Sequence, residues 1–162
     1  MSDISTTASF AHEGLGLSIL VPEHWEAEEL AANQVRFHGP EQAQVDHYRP
    51  TLSIVVGEPE GYGTEWFDAF CEQAGERLRN SYTNFVLHRS ERYTLSSLVP
   101  VNATWFDWEP EPGLHMSQLQ ALVPVGATRL YLINAATRSE CAETFLPVFD
   151  AIVRSLRVLP PR

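Results

Sequence analysis

Hydrophobic and polar positions alternate with a period of two along much of the first third of the chain, which predicts β-strands. Strands are predicted over residues 15–21, 34–38 and 51–57, and residues 7–12 are placed to pair with the first of them as a hairpin. Pro22 ends the first of these three strands, because proline has no N–H to donate to a β-ladder.

The period changes to that of a helix after the Gly- and Pro-rich loop 57–63. Apolar residues recur at helical spacing from about residue 64 to residue 81 and form one face of a predicted helix. They are Trp66, Phe67, Phe70, Cys71, Ala74 and Leu78. Thr64 is placed to cap this helix, and its opposite face carries mainly acidic residues.

Four β-patterns follow, over residues 85–94, 98–109, 115–125 and 128–136. Their short connections require antiparallel neighbours, so they predict a meander. A last amphipathic segment covers residues 142–156, with Ser139 placed to cap it. Pro147 interrupts this segment, and we favour a short turn followed by a second helix that begins at Pro147 over a kink in one helix. We expect Trp66, Phe70, Phe145, Phe149 and Ile152 to be almost fully buried, because they occupy the apolar stripes of the helices.

The chain has 162 residues, of which 44% are hydrophobic, and this is enough for one domain with a real core. We predict a single domain, residues 1–162, with its core over about 8–158 and flexible tails at 1–6 and 159–162. No apolar run is long enough to span a bilayer, and the N-terminus lacks the pattern of a signal peptide. A cytoplasmic location is therefore expected, and two buried free thiols, Cys71 and Cys141, are favoured over a disulfide.

Charge narrows the choice of partner. The 21 acidic residues outnumber the 11 basic ones, for a formal net charge of -10, which disfavours nucleic acid and anionic membranes and leaves a basic or apolar protein as a partner. One set of acids has two interpretations, a solvated surface or a docking patch for a basic partner: Glu58, Glu60, Glu65, Asp68, Glu72 and Glu76. A second set is Asp107, Glu109 and Glu111.

A search for catalytic chemistry finds no motif. The six histidines lack the spacing of a metal site, and no GxSxG, Walker A or GxGxxG motif is present. Cys71 has apolar neighbours and is interpreted as a core residue. No catalytic residue, metal or cofactor is predicted, and the protein is not expected to be an enzyme.

Aromatic residues concentrate in the strand predicted over 98–109. Alternation places Trp105 on one face of the sheet and Phe106 and Trp108 on the other. If both faces are covered, these residues are ordinary core. If one face is only partly covered, they line an aromatic binding surface.

Three segments together resemble the Mog1/PsbP-like superfamily, in particular its bacterial members of unknown function and the LpqN-like proteins. The first is Pro22-Glu23-His24-Trp25 after a strand, and the second is the segment 48–56, which leads through an acidic loop into a helix. The third is the meander closed by the helix 149–157 with the pattern Phe-x-x-Ile-Val-x-Ser-Leu-Arg. The resemblance covers roughly residues 8–158.

The resemblance implies an α+β fold, an α/β/α sandwich around a central, mainly antiparallel twisted sheet. It implies no shared catalytic set, since relatives are accessory and binding proteins. The leading hypothesis is therefore a non-enzymatic binding or accessory protein. The alternatives are a type VI secretion effector chaperone that binds apolar helices, and a small-ligand-binding protein or enzyme that uses the aromatic sheet surface.

Overall fold

The computed structural model describes residues 7–160, which form ten strands and two α-helices. The helices are α1 (Thr64–Ser81) and α2 (Ala142–Arg154), and a 3-10 turn, Ser139–Cys141, precedes α2. The strands are β1 (Thr7–His12), β2 (Leu17–Pro22), β3 (Glu26–Ala31), β4 (Gln34–His38), β5 (Thr51–Gly57), β6 (Val86–Thr94), β7 (Pro100–Glu111), β8 (Leu114–Val125), β9 (Arg129–Arg138) and β10 (Arg157–Val158). Every predicted strand is present, whereas β3 and β10 were not predicted.

All strand pairs are antiparallel. The large sheet has the order β3-β4-β5-β9-β8-β7-β6, so β3 and β6 are its edges, and β1-β2-β10 form a smaller sheet. The predicted hairpin β1-β2 and the predicted meander β6 to β9 are both confirmed.

The two faces of the large sheet are covered differently. One face packs against α2 and the small sheet and forms the main core, in which Trp25 contacts both Phe145 and Phe149 edge to face. The other face packs against α1 through a small cluster centred on Phe67, Ala74 and Leu122. This arrangement is the α/β/α sandwich of an α+β protein, as predicted, with the small sheet added beside α2.

The burial prediction is confirmed for Phe145, Phe149 and Ile152 and is wrong for Trp66 and Phe70, which are half-buried. The sheet face under α1 carries polar side chains among its apolar ones, including Asn102, Thr104, Gln118, Gln120 and Asn134. Because α1 meets few apolar neighbours on that face, Trp66 and Phe70 stack on each other at the margin of the contact, 5.2 Å between ring centroids.

Pro147 lies inside α2, which is continuous, so the favoured second helix beginning at Pro147 is wrong. The ring sits on the exposed side, while Phe145, Val148 and Phe149 around it pack on the sheet and hold one helix together. Both side-chain caps were also predicted wrongly. Gly63 and Cys141 occupy the N-cap positions of α1 and α2, neither with a side-chain cap hydrogen bond.

The predicted tails fall largely outside the described residues, since 1–6 and 161–162 are not among them. Leu159 was assigned to the C-terminal tail, but its N–H donates to the carbonyl oxygen of Gly16 at 2.9 Å. Within residues 7–160, neither helix combines the length and apolar character needed to cross a membrane.

Candidate functional site

Four of the predicted acidic residues share the outer side of α1. Glu65, Asp68, Glu72 and Glu76 are all exposed, and we call these four residues the acidic face. Asp68 Oδ1 accepts a hydrogen bond from Arg92 Nη1 at 2.9 Å, which ties α1 to β6. Within residues 7–160 the other three carboxylates have no ion-pair partner.

The two remaining acids of this set lie in the loop before α1. Glu60 is exposed there, and Glu58 lines a separate cavity of about 420 Å³ with Asn33 and Arg129. The structure therefore brings four of the six predicted acids onto one rigid surface and places Glu58 elsewhere.

A groove of about 340 Å³ lies between α1 and the strands β6 and β7, and we call it the α1 groove. Helix α1 contributes Cys71, Glu72 and Glu76 to its wall, together with Gly75 and Arg79. The strand side contributes Phe85 and Leu87 as apolar surface, and Ser90, Asn102 and Thr104 as polar surface. The groove thus joins part of the acidic face to an apolar wall.

Cys71 forms part of this wall and packs against the small cluster under α1, but it is half-buried and not the buried thiol that was predicted. Burial raises the pKa of the Cys71 thiol to about 11, and the nearby Arg92 guanidinium opposes this only in part. A thiol with this pKa is protonated at neutral pH and is a poor nucleophile.

We expect Cys71 to react with iodoacetamide at pH 7 roughly 100-fold more slowly than a free thiol, with the rate rising steadily as the pH approaches 11. The measurement uses Cys141→Ser, which leaves Cys71 as the thiol under study, with Cys71→Ser as the matched control. Alkylation of Cys71 at the rate of glutathione at pH 7 would contradict the protonated state.

The three predicted aromatic residues do not form one surface. Trp105 faces α2, whereas Phe106 and Trp108 face the other side, where both contact Tyr82 edge to face. Trp105 and Phe106 are only 3% and 1% exposed. Alternation in β7 separates the rings as predicted, and the cover on both sheet faces makes Trp105 and Phe106 core residues, so an open aromatic surface built from all three is wrong.

Trp108 is half-buried, and its indole Nε1 donates to Gln118 Oε1 at 2.5 Å. This bond satisfies the polar atom of Trp108 within the sheet.

A second groove, of about 410 Å³, lies on the opposite face of the same strands, and we call it the α2 groove. Its wall is formed by His88 and Arg89 of β6, Trp105 of β7, and Leu146, Pro147 and Asp150 of α2. Two polar atoms of these residues, Trp105 Nε1 and Asp150 Oδ1, are buried without a hydrogen-bond partner in the structure. No sequence pattern indicates this groove, because its walls come together only through the packing of α2 on the sheet.

One hydrogen-bonded network superficially resembles a catalytic triad. Asp107 accepts a hydrogen bond from the Ser117 hydroxyl at 2.7 Å and contacts His88 Nε2 at 2.9 Å. A serine nucleophile requires the imidazole between the hydroxyl and the carboxylate, but here the carboxylate lies in the middle. Ser117 is also buried, so this arrangement does not activate it. Across residues 7–160, no three His, Cys, Asp or Glu side chains are grouped as a metal site would need.

Neither a protein-family model nor a curated protein matches the chain. Solved structures do match, with low sequence identity over nearly the whole chain. LpqN, involved in cell envelope biogenesis of Mycobacterium tuberculosis, gives a TM-score of 0.66 at 17% identity, with 96% of this chain and 91% of LpqN covered. Cyanobacterial PsbP from Synechocystis gives 0.61 at 15% identity, covering 96% and 94%. The Ran-binding protein Mog1p of Saccharomyces cerevisiae gives 0.58 at 13% identity, covering 95% and 96%.

These similarities establish the fold. The chain has the Mog1/PsbP-like fold that the resemblance implied, with the central antiparallel sheet and the helices on both of its faces.

Proposed function

We propose that this protein is a non-enzymatic binding or accessory protein that docks a basic region of a partner protein on the acidic face. The observation that carries the proposal is the exposure of Glu65, Glu72 and Glu76 on one helix, with no ion pair to any residue in the range 7–160. Exposed acids that lack counter-charges attract a basic partner over a distance set by the ionic strength.

The helix presents these charges on a rigid element. Phe67, Ala74 and Leu78 anchor its inner side, and Arg92 holds Asp68 on the outer side. Because the helix backbone is already ordered, binding does not have to fold this element, which lowers the entropic cost of association. The solved structures with a similar fold include a Ran-binding protein, which supports a protein as the class of partner. A cytoplasmic location remains a prediction.

The chemistry of the described residues also favours binding over catalysis. Cys71 is protonated at neutral pH, and Ser117 hydrogen-bonds to a carboxylate rather than to an imidazole. Neither residue has the partner that would activate it.

The double variant Glu72→Gln/Glu76→Gln tests the proposal. We expect its melting temperature to change little, because exposed charges without partners contribute little to stability. Its affinity for a captured partner should fall about tenfold at low salt, through slower association, and the difference from the parent protein should shrink as salt is added. Asp68 is left intact in this variant because it pairs with Arg92.

Partners are captured from extract of the native cell and identified by mass spectrometry, and association rates are then measured at two salt concentrations. The matched control, Glu23→Gln/Glu111→Gln, removes the same number of exposed charges outside the acidic face. If both double variants bind the partner as the parent does, the acidic face serves only solubility. If both weaken binding equally, net charge rather than this face is responsible.

A further inference from the structure

We propose that the outer edge of β6 is a docking site for an extended segment of the partner, in which basic and apolar side chains alternate. The inference rests on the proposed function and adds to it the backbone element and the side-chain pattern that are recognised. Strand addition of this kind supplies main-chain hydrogen bonds for affinity and side-chain pockets for specificity.

The edge of β6 has no neighbouring strand, and its first residues are apolar. Strand β6 ends the large sheet, and no other strand in residues 7–160 pairs with its outer side. Val86 and Leu87 are 55% and 42% exposed there. The other edge strand, β3, instead carries Glu26, Glu28 and Glu29 at exposed positions, which is a common protection against unwanted pairing. The outer edge of β6 lacks that protection where Val86 and Leu87 lie.

The side chains of β6 reach both grooves. Leu87 pairs with Phe106 and Ser90 pairs with Thr104 in the register of β6 and β7. Leu87 and Ser90 therefore face the α1 groove and form part of its wall. Arg89 pairs with Trp105 and faces the α2 groove. The register shift at His88 places His88 in the wall of the same groove. Side chains of a strand added beside β6 alternate between the same two faces, so successive residues of the partner reach different grooves.

The α1 groove suits a basic side chain. Glu72 and Glu76 contribute two carboxylates without ion-pair partners in the described part of the chain, against one cation from Arg79. Phe85 and Leu87 provide an apolar surface beside them. An arginine or lysine from the partner can pack its aliphatic stem on this surface and bring its charge to the carboxylates.

The α2 groove suits an apolar side chain. Leu146 and Pro147 form an apolar wall, while Trp105 Nε1 and Asp150 Oδ1 each lack a hydrogen-bond partner. The side chain of an apolar residue in the added strand can pack on this wall, because the side chains of a strand point to the faces of the sheet while its peptide groups lie in the sheet plane. The guanidinium of Arg89 lies over the Trp105 ring at 4.8 Å and has no ion pair among the described residues, so its displacement loses a cation–π contact but breaks no salt bridge.

The test uses an acetylated and amidated synthetic peptide of about eight residues in which arginine alternates with valine. Amide hydrogen exchange of the isotope-labelled protein is followed by NMR with and without saturating peptide. We expect every second amide on each side of the register shift at His88, within residues 86–94, to gain at least tenfold protection, since alternate N–H groups of an edge strand face outward. Absence of binding at millimolar peptide, or binding without this alternating protection, would overturn the proposal.

Two N-methylated peptides are the matched controls, one methylated at the arginines and the other at the valines. Both keep all charges and side chains, but one of them loses the N–H groups that point toward β6. We expect one of the two to lose at least tenfold in affinity together with the β6 protection. Equal binding by the unmodified peptide and both methylated peptides would exclude main-chain pairing.

The variant Glu72→Gln/Glu76→Gln separates this inference from the proposed function. Weaker peptide binding by the variant, with no β6 protection in the parent protein, would overturn edge pairing and leave docking on the acidic face intact. Alternating β6 protection that is unaffected in the variant would support edge pairing and contradict a role of the acidic face. Protection in the parent together with weaker binding by the variant supports both.

Discussion

Phe149→Ala is expected to lower the free energy of unfolding by about 3–5 kcal/mol, because removal of a large ring from a packed interior loses burial and leaves a cavity. Phe149 is 0% exposed and lies where α2 meets the sheet. Its ring contacts Trp25 edge to face, 6.2 Å between centroids, which joins α2 to the segment after β2. The loss therefore affects several elements of the main core at once.

Thermal and denaturant unfolding measure this effect, and the melting temperature should fall by roughly 6–20 °C. Phe149→Leu is the control, because it retains most of the apolar volume and should cost much less than Phe149→Ala. A melting temperature of Phe149→Ala within error of the parent would contradict the packing of α2 described above.

Phe106→Ala is expected to cost a similar amount, about 3–5 kcal/mol, on the opposite face of the sheet. Phe106 is 1% exposed and contacts Tyr82 and Phe85, each at 5.1 Å between ring centroids. These residues connect the C-terminal end of α1 to the start of β6. The result distinguishes a core role of Phe106 from the binding-surface interpretation. On that interpretation, Phe106→Ala would weaken ligand binding more than it would lower the free energy of unfolding.

Leu87→Ala is the matched control for this experiment. Leu87 lies directly opposite Phe106 in the β6–β7 register but is exposed, so its truncation should cost less than about 1 kcal/mol. Denaturant unfolding of both variants gives the comparison. Equal and small losses would show that Phe106 is not part of the packed interior.

Local patterns predicted most of the helices and strands because the spacing of apolar residues is a property of a short segment of the chain. The acidic and apolar stripes over residues 64–81 predicted α1 with the correct bounds. The alternation within β7 also placed Trp105 and Phe106 on opposite faces before any cover was known. Strand β3 was missed because its residues, Glu26–Ala31, are all exposed and show no apolar alternation. Its assignment depends on pairing with β4.

Burial depends on what lies over a face, and this explains the errors about α1. Its apolar stripe was recognised, but the polar content of the sheet face beneath it leaves Trp66 and Phe70 half-buried. Pro147 likewise fits inside α2 because its ring faces outward while its neighbours pack on the sheet.

The sequence by itself determined the antiparallel meander and the acidic stripe of α1, since each depends on residue type and local spacing, and the α+β class followed from the family resemblance. Tertiary structure alone decided which strands are edges, that Asp68 pairs with Arg92, and that two grooves flank β6. These features join residues far apart in the chain, and their positions follow from strand order and helix packing, which no local period encodes.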